Sequence, residues 1–196
     1  MSERTNSIER VTRETDIRLT LSVPENRPSR DSYAISTGLP FFDHMLLAFG
    51  FHGGFGLQLE ARGDIEVDPH HLVEDVGIVL GDALHALKRE GMARYGQAAI
   101  PMDDALSEVI VDVSGRAYLM YDAKYPQEYA GSFQLALLKE FFQALASRAQ
   151  VNLHLLSRYG QNGHHMAESL FKALGRALST AYALDGEVVM STKGSL

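Results

Sequence analysis

Two adjacent-histidine cassettes are the residues best suited to chemistry: His70-His71-Leu72-Val73-Glu74 and His164-His165-Met166-Ala167-Glu168. On a helix a residue and the one four positions later share a face, so His70 with Glu74, and His164 with Glu168, can each grip one ion. The neighbouring histidine is turned by ~100° about the helix axis, which aims His71 and His165 away from that ion and toward a second. A lone histidine on an apolar element is more often a hydrogen-bonded structural residue, and His85 and His154 are read that way. The duplicated cassette reverses that balance. Four imidazoles and two carboxylates at the starts of two related helices add nothing to a core and are costly to desolvate unless something neutralises them. Nitrogen and carboxylate ligands without sulfur fit Mn, Fe, Co, Ni or Zn, and coordination preference alone does not choose among these.

The elements that must position the ligands are duplicated too. Laying residues 70–84 over 164–178 matches Glu74 with Glu168, Leu80 with Leu174, Gly81 with Gly175, and Ala83-Leu84 with Ala177-Leu178. Such a repeat predicts two half-domains, residues 1–92 and 93–196. Ahead of each cassette lies a short helical block, Phe41-Phe42-Asp43-His44-Met45-Leu46 and Lys139-Glu140-Phe141-Phe142-Gln143-Ala144-Leu145. Each block is followed by an alternating strand, with Phe55, Leu57 and Leu59 inward in the first and Val151, Leu153 and Leu155 in the second. Residues 10–23 read as a strand with Ile17, Leu19 and Leu21 inward, and residues 33–36 as another. Residues 72–90 read as a long helix stopped near Gly91. Residues 106–113 and 117–122 read as a hairpin across Ser114-Gly115, followed by helices over 133–150 and 165–184. Residues 96–102 and the tail 185–196 read as irregular. Strand, strand, helix, strand, helix, written twice, predicts an α+β chain of two α/β-sandwich halves related by a pseudo-twofold.

Composition sets outer bounds. A chain of 196 residues, 45% hydrophobic, can bury a real core. No apolar run approaches the ~20 residues of a membrane span, and the N-terminus has no apolar core of a secretory signal. The absence of cysteine excludes disulfides and thiolate metal sites and fits a cytoplasmic chain. A net charge of −7 argues against nucleic-acid binding, which needs a basic surface.

Several segments together resemble the imidazoleglycerol-phosphate dehydratase family of histidine biosynthesis. They are the Phe41 block, His52-Gly53-Gly54-Phe55, Gly63-Asp64, His70-His71-Leu72-Val73-Glu74-Asp75 and Gly81-Asp82-Ala83-Leu84. The second cassette through Leu178 matches as well, with Arg13-Glu14-Thr15, Pro101-Met102-Asp103, Ser114-Gly115-Arg116-Ala117-Tyr118-Leu119 and Ser191-Thr192-Lys193-Gly194, so the resemblance covers nearly the whole chain. It implies a manganese lyase with a ribosomal S5 domain 2-like fold, two Mn ions per subunit, and a homo-oligomer of about 24 subunits with active sites at subunit contacts. The ligands it implies are His44, His70, His71, Glu74, Glu140, His164, His165 and Glu168. Near-equal spacing agrees: His44 precedes His70 by 26 residues and Glu140 precedes His164 by 24. Glu14 is implied as the acid/base group, with a metal-bound water or Glu168 as second participant, and His52 as a substrate contact.

The implied reaction removes water from imidazole glycerol phosphate to give imidazole acetol phosphate. The proton to be lost has no carbonyl beside it, so direct abstraction is slow. A ring held as imidazolate by two metals can expel hydroxide, giving a diazafulvene that acidifies the neighbouring C–H for removal by a carboxylate. The phosphate needs cations or donors, for which Arg94, Arg116, Lys172 and Lys193 are the candidates. Lys172 lies one turn beyond Glu168 on the same face, and an irregular tail carrying Ser191 and Lys193 suits a segment that orders over substrate. Two other functions use similar ligands. A dinuclear metallohydrolase commonly has bridging Asp, yet the only cassette aspartate, Asp75, is absent from the second copy. A metal store would need the ligands but not the basic positions.

Overall fold

The computed structural model describes residues 4–23 and 28–184. In the first half, β1 (Arg4–Val11), β2 (Thr15–Val23), β3 (Tyr33–Ser36), α1 (Pro40–Gly53), β4 (Gly56–Gly63) and α2 (His70–Ala86) follow one another. The second half repeats the scheme with β5 (Tyr95–Met102), β6 (Ala105–Asp112), β7 (Tyr118–Asp122), a small ribbon of β8 (Tyr129–Ala130) and β9 (Phe133–Gln134), then α3 (Leu137–Ala149), β10 (Asn152–Tyr159) and α4 (Gly163–Tyr182). The sheets run β1-β2-β4-β3 and β5-β6-β10-β7, and in each the last strand is parallel to its neighbour while the other pairings are antiparallel. The two halves are therefore an α+β repeat with one topology.

The alternating residues face inward as expected: Ile17, Leu19, Leu21, Leu57, Leu59, Leu153 and Leu155 are at most 3% exposed. Burying each such aliphatic side chain contributes about 1.5–3 kcal/mol, an upper estimate that ignores chain entropy. Between the sheets the helices pack across the halves, α1 on α4 and α2 on α3. Close approach is set by the repeated glycines. A Cβ on Gly175 would stand 2.3 Å from the Phe49 carbonyl, and one on Gly81 would stand 2.8 Å from the Leu145 carbonyl.

Four boundaries differ from the sequence reading, each for a local reason. Residues 10–23 are not one strand, because Arg13-Glu14 turns the chain back and Thr12 N–H donates to the Thr15 carbonyl at 2.8 Å. Residues 96–102 form a regular strand: β5 is a sheet edge, which tolerates Pro101, and Gly96 lets it lie against the α4 backbone at Ala177. Residues 106–113 and 117–122 are no hairpin, since β10 lies between β6 and β7 and pairs with β7 in parallel. The long-helix ends also retreat. α2 stops at Ala86, and α3 begins at Leu137 because Phe133-Gln134 is drawn into the ribbon turned by Gly131, whose φ is 62°.

Candidate metal centre and active site

α1 begins at Pro40 in the first turn, where its missing N–H is harmless, and ends at Gly54 in the left-handed region. α4 is capped by Asn162, whose side chain accepts from His164 N–H at 2.9 Å. These starts bring His44 of α1 against His164 and Glu168 of α4, and one ligand atom from each lies within 4.8 Å of the other two. His44 Nε2 stands 3.3 Å and His164 Nε2 3.2 Å from Glu168 Oε2, while Lys172 Nζ reaches Oε1 at 2.8 Å. Burial works to raise the Glu168 carboxyl, but the Lys172 ammonium and His44 outweigh it and hold the group below the ordinary range. A charged carboxylate between two imidazoles is a donor set that suits a divalent Mn, Fe or Zn ion.

The first cassette is more open. His70 Nε2 and Glu74 Oε2 are 3.5 Å apart, with both side chains more than 40% exposed. Glu140, half-buried, sits in the first turn of α3. Gly81 meets Leu145 O and Ala149 N just as Gly175 meets Phe49 O and Gly53 N. Counting five residues back from Phe49 and from Leu145 gives His44 and Glu140, so the two hold the same place on their helices. Among the described residues, only the second cassette draws three such ligand atoms together.

His71 and His165 point elsewhere, as the helical rotation requires. His71 Nδ1 lies 3.2 Å from Asp64 and 3.8 Å from Glu14, and the Asp64 contact raises its pKa. His165 Nδ1 meets Asp104 Oδ1 at 2.5 Å and its Nε2 stands 3.6 Å from Asp103. The His165 contact, with amide donors from Gln161 and Asn162, holds the Asp104 carboxyl down at about 2. Glu14 occupies the β1–β2 tip. That tip is anchored by buried Asp75, which accepts from Thr15 Oγ1 at 2.5 Å and pairs with Arg10 at 3.0 Å, while Thr12 Oγ1 accepts from the Glu14 N–H.

The remaining candidates divide by place. His52, at the end of α1, lines a cleft of about 410 Å³ with Arg30, Tyr33, His44, Phe51 and Glu168. Lys172 belongs to the second cassette. Arg94 and Arg116 do not: Arg94 grips Asp112 through Nε and Nη2 at 2.7 and 3.2 Å, and the Arg116 carbonyl accepts from Asn152. Both lie at the end of the sheet where β5 starts, roughly 25 Å of strand from the Asp103 turn. Ser191, Lys193 and the capping tail lie outside the described residues. His85 is exposed and the His154 ring lies tilted against Tyr118, 5.9 Å between centroids, both away from the cassettes. Asp64, Asp75 and Asp104 received no role from the sequence. Their signal was faint, an acid directly after a strand, after a cassette glutamate, and at a tight turn, and surface acids commonly occupy all three.

Three comparisons with known proteins bear on this geometry. The family model described as imidazoleglycerol-phosphate dehydratase matches residues 37–178. An imidazoleglycerol-phosphate dehydratase of Pelobacter propionicus is 50% identical over 98% of this chain and 99% of its own length, and one of Lacticaseibacillus casei is 47% identical over 97% and 98%. The crystal structure of the enzyme of that name from Pyrococcus furiosus in complex with (S)-C348 superposes with a TM-score of 0.84 at 39% identity, covering 96% of this chain and 100% of that one. The Staphylococcus aureus structure gives 0.81 at 37% identity, covering 93% and 99%.

Proposed function

Given that the chain belongs to the imidazoleglycerol-phosphate dehydratase family, we propose that its two cassettes hold a pair of Mn ions for the reaction of that family. The chain is a hydro-lyase that converts imidazole glycerol phosphate to imidazole acetol phosphate in histidine biosynthesis. The single observation that carries the metal reading is the convergence of His44, His164 and Glu168. The pseudo-twofold supports Glu140, His70 and Glu74 as the matching set, and His71 and His165 as ligands directed outward. Bound there, the ions would stabilise the loss of the ring N–H proton, and the deprotonated ring is electron-rich enough to expel the hydroxyl.

The protein's own residues then do the rest. Glu14, held by the Thr12–Thr15–Asp75 network at the tip facing His71, takes the proton from the carbon beyond the departing hydroxyl, and Glu168 is the second acid/base participant. His52 contacts the substrate from the cleft wall. Arg94, Arg116, Lys172, Ser191 and Lys193 hold the phosphate. Because Arg94 and Arg116 lie a strand length from the cassettes, one substrate draws them from a neighbouring copy. That separation supports a homo-oligomer with sites at its contacts, and about 24 subunits is the assembly that the family resemblance implies. We place the enzyme in the cytoplasm, in keeping with its step in histidine biosynthesis.

The test is water loss from imidazole glycerol phosphate by protein stripped with chelator, before and after Mn is returned. Activity is expected only with Mn, and full activity in stripped protein would overturn the metal assignment. In the same assay Glu14→Gln should keep its metal while kcat falls about 10²–10⁴-fold.

A further inference from the structure

The hairpin tips of the two halves correspond in register, although Asp103 has a φ of 46° and its counterpart Arg13 does not share that left-handed backbone. In the first, Val11 pairs with Asp16 and Thr12 N–H bonds the Thr15 carbonyl, leaving Arg13-Glu14 as the turn; in the second, Met102 pairs with Ala105, leaving Asp103-Asp104. Glu14 and Asp104 thus hold one position. The position after the fourth strand is equivalent as well. Gly63 packs on Leu72 in the first half and Gly160 on Met166 in the second, so Asp64 corresponds to Gln161. In both halves the N–H at this position donates to the tip residue, to the Glu14 backbone carbonyl in the first and to the Asp104 side-chain carboxylate in the second.

Between these two positions the halves have exchanged a carboxylate. In the first half the post-strand Asp64 takes Nδ1 of His71, and the tip residue Glu14 stays 3.8 Å away with its side chain 56% exposed. In the second half the post-strand residue is the neutral Gln161, and the tip residue Asp104 takes Nδ1 of His165. The same Asp104 carboxylate accepts from Gln161 and Asn162 N–H, so it ties the tip to the loop that starts α4. An imidazole whose Nδ1–H donates to a carboxylate is locked in one tautomer and one ring orientation, with its Nε2 lone pair presented outward. Here Nε2 points past the exposed Asp103, 3.6 Å away.

We propose that Asp104 is a positioning residue for His165, fixing Nδ1–H so that Nε2 is the ligand atom, as Asp64 does for His71. The hairpin-tip acid has specialised by half: in the second it orients a ligand, and in the first, relieved of that duty by Asp64, it is available to move a proton. This rests on the reading of His165 as a metal ligand, and the experiment separates the two.

Free Mn2+ is counted by its electron paramagnetic resonance signal during titration of the chelator-stripped full-length protein. The variants are Asp104→Ala, Asp104→Asn, which keeps an oxygen for the Gln161 and Asn162 amides, and both changes in a His165→Ala background. Loss of a ligand's carboxylate partner typically weakens a metal site about 10–100-fold. That loss is expected for Asp104→Ala and Asp104→Asn in the otherwise wild-type chain and is expected to vanish in the His165→Ala background, because Asp104 then has nothing to orient. Wild-type Mn affinity in both single variants would overturn the proposal, as would an equal loss with and without His165, which marks a loop-stabilising role alone. A wild-type protein that takes up no Mn would overturn the metal reading beneath it instead.

Discussion

The two cassettes share backbone, spacing and helix contacts, yet their charges are arranged differently. The second is closed around Glu168, 10% exposed, which answers to His44, His164 and Lys172 at once. The first is open, with Glu74 46% exposed and touching His70 at 3.5 Å. The counterpart of Lys172 in the first helix, 94 residues earlier as His70 is to His164, is Ile78. Duplication has kept what packing dictates, where a misplaced methyl is felt directly. It has let the polar partners diverge, because a solvated charge is worth little wherever it sits.

The largest test of that contrast removes the cassette carboxylates one at a time. Glu168→Ala strips a buried charge from two imidazoles and leaves the Lys172 ammonium, 17% exposed, without its counter-ion. Turnover should fall about 10³-fold or more, and the melting temperature of chelated protein by roughly 5–10 °C, since breaking a buried pair destabilises strongly. Glu74→Ala should also lower metal content and turnover while leaving that apo melting temperature within roughly 2 °C. Equal thermal shifts in the two variants would show that the open and closed cassettes do not differ.

A second, smaller test concerns what the halves share. Alanine for an interior helical glycine ordinarily stabilises by about 1 kcal/mol. At Gly175 and Gly81 the added Cβ would instead meet backbone at 2.3 and 2.8 Å, so neither neighbour can yield by a side-chain rotation. Both variants should be destabilised by about 1–3 kcal/mol in urea unfolding, Gly175→Ala more than Gly81→Ala. A gain in stability at either would mean the interhelical contact is loose.

The same contrast explains what was legible in the sequence. Strand alternation and helical spacing are imposed by burial, so Ile17, Leu57 and Leu153 could be placed from their neighbours alone, and so could the duplicated helices. The hairpin of β1 and β2 was not legible, because the burial pattern of β1 is only half-buried on alternate residues and carries no apolar run to end. β5 was hidden by Gly96 and Pro101, residues that signal irregularity except at an edge. In the site, the histidines were legible by type and repeat, whereas Asp104 and Asp64 act through contacts 61 and 7 residues away. Arg94 and Arg116 were legible only as candidate phosphate cations and not by their distance from the cassettes, because a linear sequence does not show which end of a strand a residue occupies.

The smallest effect expected lies where the two long helices end. Lys88 and Tyr182 are 94 residues apart and so hold the same place beyond α2 and at the end of α4. Tyr182 is buried and donates its hydroxyl to the Leu84 carbonyl at 3.0 Å, an arrangement that needs no charge. Lys88 donates to the Gln150 carbonyl at 3.0 Å, but burial pulls its ammonium down to about 8. The unfolded chain keeps that proton to its ordinary value of 10.5, so between pH 8 and 10.5 it binds more protons than the folded chain, and stability must rise with pH across that window. Solvent reaching half of the side chain limits the gain to on the order of 1 kcal/mol. Urea unfolding of chelated protein at pH 7.0 and at pH 9.5 should show this rise in the wild type and not in Lys88→Met, with other titrating groups cancelling in the difference between them. A rise of the same size in Lys88→Met would place its origin elsewhere and leave the helix ends equivalent after all.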